Sequence, residues 1–180
     1  MRARQIEIPV TTQPGFAANR YYASPAINTN VTTFAPAANV MYAVPFYVSK
    51  TTVFTRIGVE VTVAVAGSAR LGIYTNLDNA PSALVLDAGE FSHAGTGNAE
   101  ITISQPLSPG WYWLVLASDA TSWSLRGGSS LSNTYVIGKN AIEDTNNRVS
   151  AAFTYGVLPA AAPAVSVSSA TAPNIWLRVA

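Results

Sequence analysis

Ile101 to Ala117 reads ITISQPLSPGWYWLVLA, and the fold turns on this stretch. Its first half alternates, with Ile101 and Ile103 on one face of an extended chain and Thr102 and Ser104 on the other. Gln105-Pro106-Leu107-Ser108-Pro109-Gly110 then forces the backbone to reverse, since its two prolines and its glycine are turn formers. The second half does not alternate. Trp111, Trp113 and Val115 fall on one face, and Tyr112, Leu114 and Leu116 on the other. A strand apolar on both faces must be covered on both, so it belongs at the centre of a packed assembly. The two halves are expected to form a core hairpin. One cover would be a second sheet; the other would be a loop, a chain terminus or a neighbouring subunit.

Upstream, Val53 to Val65 carries the clearest period of two. Val53, Ile57, Val59, Val61, Val63 and Val65 share one face, with Thr55 the polar member; Arg56, Glu60, Thr62 and Ala64 share the other, where Phe54 and Gly58 break the pattern. This predicts a long strand with one wet face, supplying the inner cover for Trp111 to Ala117. Val40 to Val48 reads as a β segment whose Pro45 argues for an edge or a bulge. Ala69 to Thr75 places Leu71 and Ile73 inward and Arg70 and Tyr74 outward. After the loop Asn76 to Ser82 come Ala83 to Phe91 and a turn-rich stretch, His93 to Asn98. Trp123 to Arg126, Tyr135 to Gly138 and Ala151 to Gly156 are short strand candidates, and Gly127-Gly128-Ser129-Ser130 reads as flexible. Leu158 to Ala164 is a surface crossing, and Asn174 to Ala180 a closing strand. No segment shows a 3.6-residue apolar period over three turns.

Residues 1–38 differ from the rest. Prolines at 9, 14, 25 and 36 rule out a long helix or regular central strands, leaving an extended N-terminal arm with one or two short edge strands. The expected organisation is this arm followed by a sandwich over 39–180. The expected fold class is all-β, a single antiparallel β-sandwich, jelly-roll-like in wiring.

Composition narrows the function classes. At 180 residues the chain fits one domain with one sizeable core. Charged residues make up 11%, against roughly 25% in typical globular proteins. A surface so poor in charge is weakly defended against association, which favours an assembled protein. Net charge is +1 and the basic residues are scattered, so the clustered basic face of a nucleic-acid binder is missing. No apolar run approaches the ~18 residues that would suggest membrane insertion, and MRARQIEIPVTTQPG carries no hydrophobic stretch of the secretory kind. Without cysteine there are no disulfides or thiolate metal sites.

Chemistry-bearing residues are sparse. His93, the one histidine, sits in a glycine-rich loop and reads as solvated rather than as a catalytic base. Ser118-Asp119 follows a strand with no defined partner. The oxygen-rich Glu143 to Asn147 and Asp78-Asn79 lack EF-hand spacing and suit ordinary turns. No catalytic residues, metal ligands or cofactors are expected, and the chain reads as a non-enzyme. Aromatic side chains remain: Tyr21, Tyr22, Trp123 and Tyr135 lie in or near loops and edges, where rings pack in a core or interface or stack on sugars.

Three blocks carry a resemblance: Phe54-Thr55-Arg56-Ile57-Gly58-Val59-Glu60-Val61, Ala69-Arg70-Leu71-Gly72-Ile73-Tyr74, and Ala80 to Gly89 (APSALVLDAG). Glu100 to Ser104, Leu107-Ser108-Pro109-Gly110-Trp111-Tyr112-Trp113-Leu114, Pro173 to Val179 and Tyr21-Tyr22-Ala23-Ser24-Pro25 extend it over most of the chain. Together they resemble the jelly-roll module of tailed-bacteriophage virion structural proteins, of capsid decoration and tail-fibre type. The resemblance implies a virion-surface protein made in the host cytoplasm, commonly a homotrimer, that contacts a major capsid or tail protein and has no catalytic residues to carry over. With only about 38 residues before the sandwich and no shaft, a decoration or cement protein, or a short fibre held by its arm, is expected. The alternative is a carbohydrate-binding receptor-recognition module of a tail fibre, facing a host surface glycan.

Overall fold

The structure, a computed structural model, describes residues 15–24, 31–128, 137, 138, 141, 146 and 148–180. Strands dominate the described residues, and Ile137 alone among them is helical. The arm contributes β1 (Tyr21–Tyr22) and β2 (Val31–Phe34). The long strands are β3 (Val40–Val48), β4 (Thr52–Val63), β5 (Ser68–Leu77), β6 (Ala80–Ser92), β7 (Gly97–Leu107) and β8 (Gly110–Ser118). Shorter ones follow: β9 (Ser124–Gly128), β10 (Arg148–Ala152), β11 (Ser166–Ser168), β12 (Ala172–Pro173) and β13 (Trp176–Val179). Sheet I runs β1-β13-β4-β9-β12, with β2 also on β9 and β7 on the other side of β4; sheet II runs β11-β10-β3-β8-β5-β6. The pairings are antiparallel, the two sheets form a sandwich, and the strand order is consistent with a jelly roll.

The main core lies between the sheets. Ile57, Val59 and Val61 of β4, with Leu177 of β13, face Leu71 and Ile73 of β5 and Leu114 and Leu116 of β8. Burying Ile57, Val59 and Val61 contributes on the order of 5–9 kcal/mol gross, at roughly 1.5–3 each.

Ile101 to Ala117 reverses as expected but does not form a hairpin. β7 pairs with β4 in sheet I, whereas β8 lies between β3 and β5 in sheet II. Ser108-Pro109 therefore carries the chain from one sheet to the other. The reason lies in the two halves. β7, with exposed Thr102 and Ser104, suits an outer strand with a wet face; β8, apolar on both faces, suits the middle of a sheet covered twice.

The second cover is the chain itself. Met41, Ala43, Tyr74, Trp113, Val115, Ile137, Val149 and Leu158 form a separate buried cluster on the outer face of sheet II, flanked by Leu84, Phe153, Ala162 and Val165. The expected surface crossing is thus a lid over β8. It is pinned by the Tyr74 hydroxyl donating to Pro159 O (2.7 Å), Leu158 N–H donating to Asp87 Oδ2 (3.0 Å), and the Ala83–Ala161 bridge. Trp113 Nε1 donates to Asn76 Oδ1 (2.8 Å), which lets a buried indole keep its hydrogen bond. Only Trp111, stacked at a tilt on Tyr47, stays exposed at the end of the strand.

Several local expectations need correction. In β4, Val53 and Val63 are exposed while Phe54 is fully buried. Register shifts at Phe54/Arg56 and at Val61/Val63 re-aim both ends, since an extra residue flips every side chain beyond it. Asn76 to Ser82 is no loop: β5 and β6 meet in a two-residue turn, Asp78-Asn79, both at positive φ as the mirror-image hairpin turn requires. Gly127 and Gly128 are buried in β9 between β2 and β12. The Ala151 to Gly156 strand starts earlier, as β10. Pro45 sits in the half of β3 beyond Ala43, where the β10 ladder has ended, so its missing N–H costs no bond there.

Candidate binding face

The outer face of sheet I carries a cleft of about 250 Å³ lined by Tyr21, Gly58, Val59, Glu60, Asn98, Glu100 and Trp176. Strand register explains how these distant residues meet. Trp176 of β13, Gly58 of β4 and Glu100 of β7 lie side by side across the sheet. One step along, Glu60 stands beside Asn98; on the other side, Tyr21 of β1 stands beside Arg178, and Arg178 beside Arg56. Gly58 makes the hollow. A Cβ there would stand 2.7 Å from Ala99 O and 3.0 Å from Glu100 Cγ, so only glycine lets the strands close with an open floor between Trp176 and Glu100.

Its rim is ordered by ion pairs. Arg126 grips both oxygens of Glu60 (Nη2 to Oε1 2.7 Å, Nε to Oε2 3.1 Å), which holds the Glu60 carboxyl below its ordinary range. Arg56 Nη1 lies 3.6 Å from Glu100 Oε2. Arg178 donates to Asn19 Oδ1 (2.6 Å), with its guanidinium 6.0 Å from the Tyr21 ring centroid. The Tyr21 phenol is pushed up, chiefly by hydrogen bonding with Glu100 and then by burial.

Of the three aromatic candidates among the described residues, only Tyr21 reaches this face. Tyr22, its neighbour in β1, points inward, edge-on to Phe16 at 4.9 Å, and its hydroxyl accepts from Ala17 N–H (2.8 Å). Tyr135 lies outside the described residues. Trp123 takes the core alternative and not the sugar-stacking one: it is fully buried. Trp123 stacks on His93 at 4.2 Å with the planes 4° apart, and its Nε1 donates to Ser118 Oγ (2.9 Å).

His93 is a correction, buried where solvation was expected. Its Nδ1 is 2.7 Å from Val65 O, and because a carbonyl only accepts, Nδ1 is the donor. Nε2 is 3.5 Å from Asp119 Oδ1, the same oxygen that accepts from Ser68 N–H at 2.9 Å. Gly67, at φ 153°, lets this form: a Cβ would sit 2.6 Å from His93 Cε1. The cluster does not assemble a nucleophile. The Ser118 hydroxyl donates to Ala120 O (3.0 Å), away from the imidazole, so His93 ties the connections flanking β5 and β8 together.

Among the described residues no three His, Asp or Glu side chains gather as a metal would need. Asp78-Asn79 serves as a hairpin turn, with Asn79 Nδ2 donating to Ile137 O (2.7 Å). Glu143 to Asn147, apart from Asn146, lies outside the described residues.

Sequence reasoning missed Trp176, Gly58, Glu60, Asn98 and Glu100 as a group. Two signals were present: Gly58 breaks the polar face of β4, and Trp176 occupies an outward position of an alternating strand. No protein-family model, curated protein or solved structure matches the chain.

Proposed function

We propose that the chain is a non-enzymatic structural protein displayed on a tailed-bacteriophage virion, a self-associating capsid decoration or cement protein or short fibre anchored by its N-terminal arm. The observation that carries this reading is where the resembling segments fall. They fall on β1, β4, β5, β6, β7, β8 and β13, strands of both sheets, so the likeness extends over the architecture and is not confined to one turn. Self-association is supported by the low charge and by an exposed apolar end: Trp111 with Tyr47 against it, and Val53, all beside the Gln105 to Gly110 reversal. The outer face of β8 lends no support, since the chain's own crossing covers it.

Purified particles probed with an antibody to the recombinant chain should carry it at the surface, and removal of residues 1–38 should abolish its attachment. Light scattering of the free protein should report three times 18.9 kDa. Absence from particles overturns the virion role, and a strict monomer at micromolar concentration overturns self-association. A second reading, receptor recognition through a surface glycan, is favoured by one observation, the aromatic-walled cleft on sheet I.

A further inference from the structure

We propose that the sheet I cleft is a saccharide site taking one neutral pyranose ring, with Trp176 and Tyr21 against its C–H faces and Glu60, Glu100 and Asn98 bonding its hydroxyls. The inference deepens the receptor-recognition reading and names its ligand class, but the site stands on its own chemistry wherever the protein is displayed.

Three features select this ligand. A sugar ring is a flat body with apolar faces and a hydroxyl edge, and the cleft is built with the same division. The two aromatic residues come from adjacent strands β1 and β13, and the polar groups from β4 and β7. At about 250 Å³ the volume falls just under the roughly 300–1,000 Å³ of drug-sized clefts, which suits one ring. The donors and acceptors also match. Carboxylates are strong acceptors for hydroxyl protons, the Asn98 amide both donates and accepts, and neither carboxylate has to be recruited on binding, because Arg126 and Arg56 already orient Glu60 and Glu100. Each carboxylate is already paired with an arginine, so neither leaves an uncompensated charge to recruit an ionic sugar. A basic ligand meets Arg56, Arg126 and Arg178 around the rim. Neutrality is what remains.

The test uses the full chain, isotope-labelled, titrated with the methyl glycosides of glucose, galactose, mannose and N-acetylglucosamine, and with methyl glucuronide. The Trp176 indole resonance should shift saturably with at least one neutral glycoside in the millimolar range that a single ring commands. Trp176→Ala should weaken binding at least tenfold. Asn98→Ala, at an exposed position where folding is not at stake, should weaken it several-fold, as loss of one hydrogen bond does. Trp111→Ala, on the other sheet, should leave the titration unchanged. No saturable shift with any neutral glycoside, shifts that map away from Trp176, or a preference for the glucuronide would each overturn the proposal. Failure here leaves the virion role intact, and absence of the chain from particles leaves the saccharide site intact.

Discussion

Leu158→Ala separates a lid that holds the outer face of sheet II from a loop that merely crosses it. Leu158 is buried on Gly72 and belongs to the cluster with Trp113, Val115 and Tyr74. Buried leucine-to-alanine changes cost about 2–5 kcal/mol, depending on how far the site collapses. Collapse here is restricted on both sides of the gap, by the Tyr74 bond to Pro159 O and by the Leu158 N–H bond to Asp87. The cost should therefore lie around 3 kcal/mol, read as a drop in urea midpoint at unchanged m-value. The neighbouring Val157 is 74% exposed, and Val157→Ala should stay within about 0.5 kcal/mol of the parent. A second readout is local: the Trp113 indole N–H should exchange faster with solvent as its cover loosens. If Leu158→Ala unfolds at the same urea concentration as Val157→Ala, with Trp113 exchange unchanged, the crossing does not cover β8.

Other outcomes follow from the same geometry. Val61→Asp places a charge between the sheets, where an unpaired ion costs several kcal/mol, and should give insoluble or unfolded protein; soluble, folded expression would contradict the β4 register. His93→Ala removes the ring stacked on Trp123 and leaves Val65 O without its side-chain donor, which should lower stability by about 2–3 kcal/mol in denaturant titration. Burial, with Asp87 adding to it, pushes the Tyr74 phenol from 10.0 up to about 12. A raised phenol favours the folded state at every pH below the unfolded value, and that contribution disappears as pH rises from 10 through about 12. Burial raises the Tyr155 phenol as well, so phenolate absorbance should show a late phase to which both tyrosines contribute and which coincides with alkaline loss of structure, and Tyr74→Phe should reduce that phase by one phenol.

Much of the frame is legible in the residue pattern, because it depends on alternation alone. The opposed faces of Trp111 to Ala117, the inward Ile57, Val59 and Val61, and the closing strand at Trp176 to Val179 all sit as alternation predicts. What alternation cannot carry is pairing. The turn residues of ITISQPLSPGWYWLVLA do not distinguish a hairpin from a passage between sheets, since both need them, and only the change from a strand apolar on one face to a strand apolar on both points to the passage. Bulges leave little more trace: Phe54 interrupts the polar face of β4, but Val63 continues the period without a break. His93 and Trp123 are thirty positions apart and look like loop residues, and only the folded chain stacks them. The cleft is the extreme case, since Tyr21 and Trp176 stand more than 150 positions apart and meet through a strand order with no sequence signature.

The placement of β13 also governs how the protein is made. β1 pairs with β13, and β13 covers β4 from Phe54 to Gly58. Until residues 176–179 emerge from the ribosome, Tyr21 and Tyr22 have no ladder to join, and one edge of the central strand stays open to any passing strand. Sheet I is closed by the pairing of Tyr21 with Arg178, residues far apart in sequence, so loop-closure entropy must be met before that contact rewards it. Folding of this sheet should be slow and should wait for β13, with sheet II able to form ahead of it. Fragments that stop short of β13 should aggregate through the β4 edge.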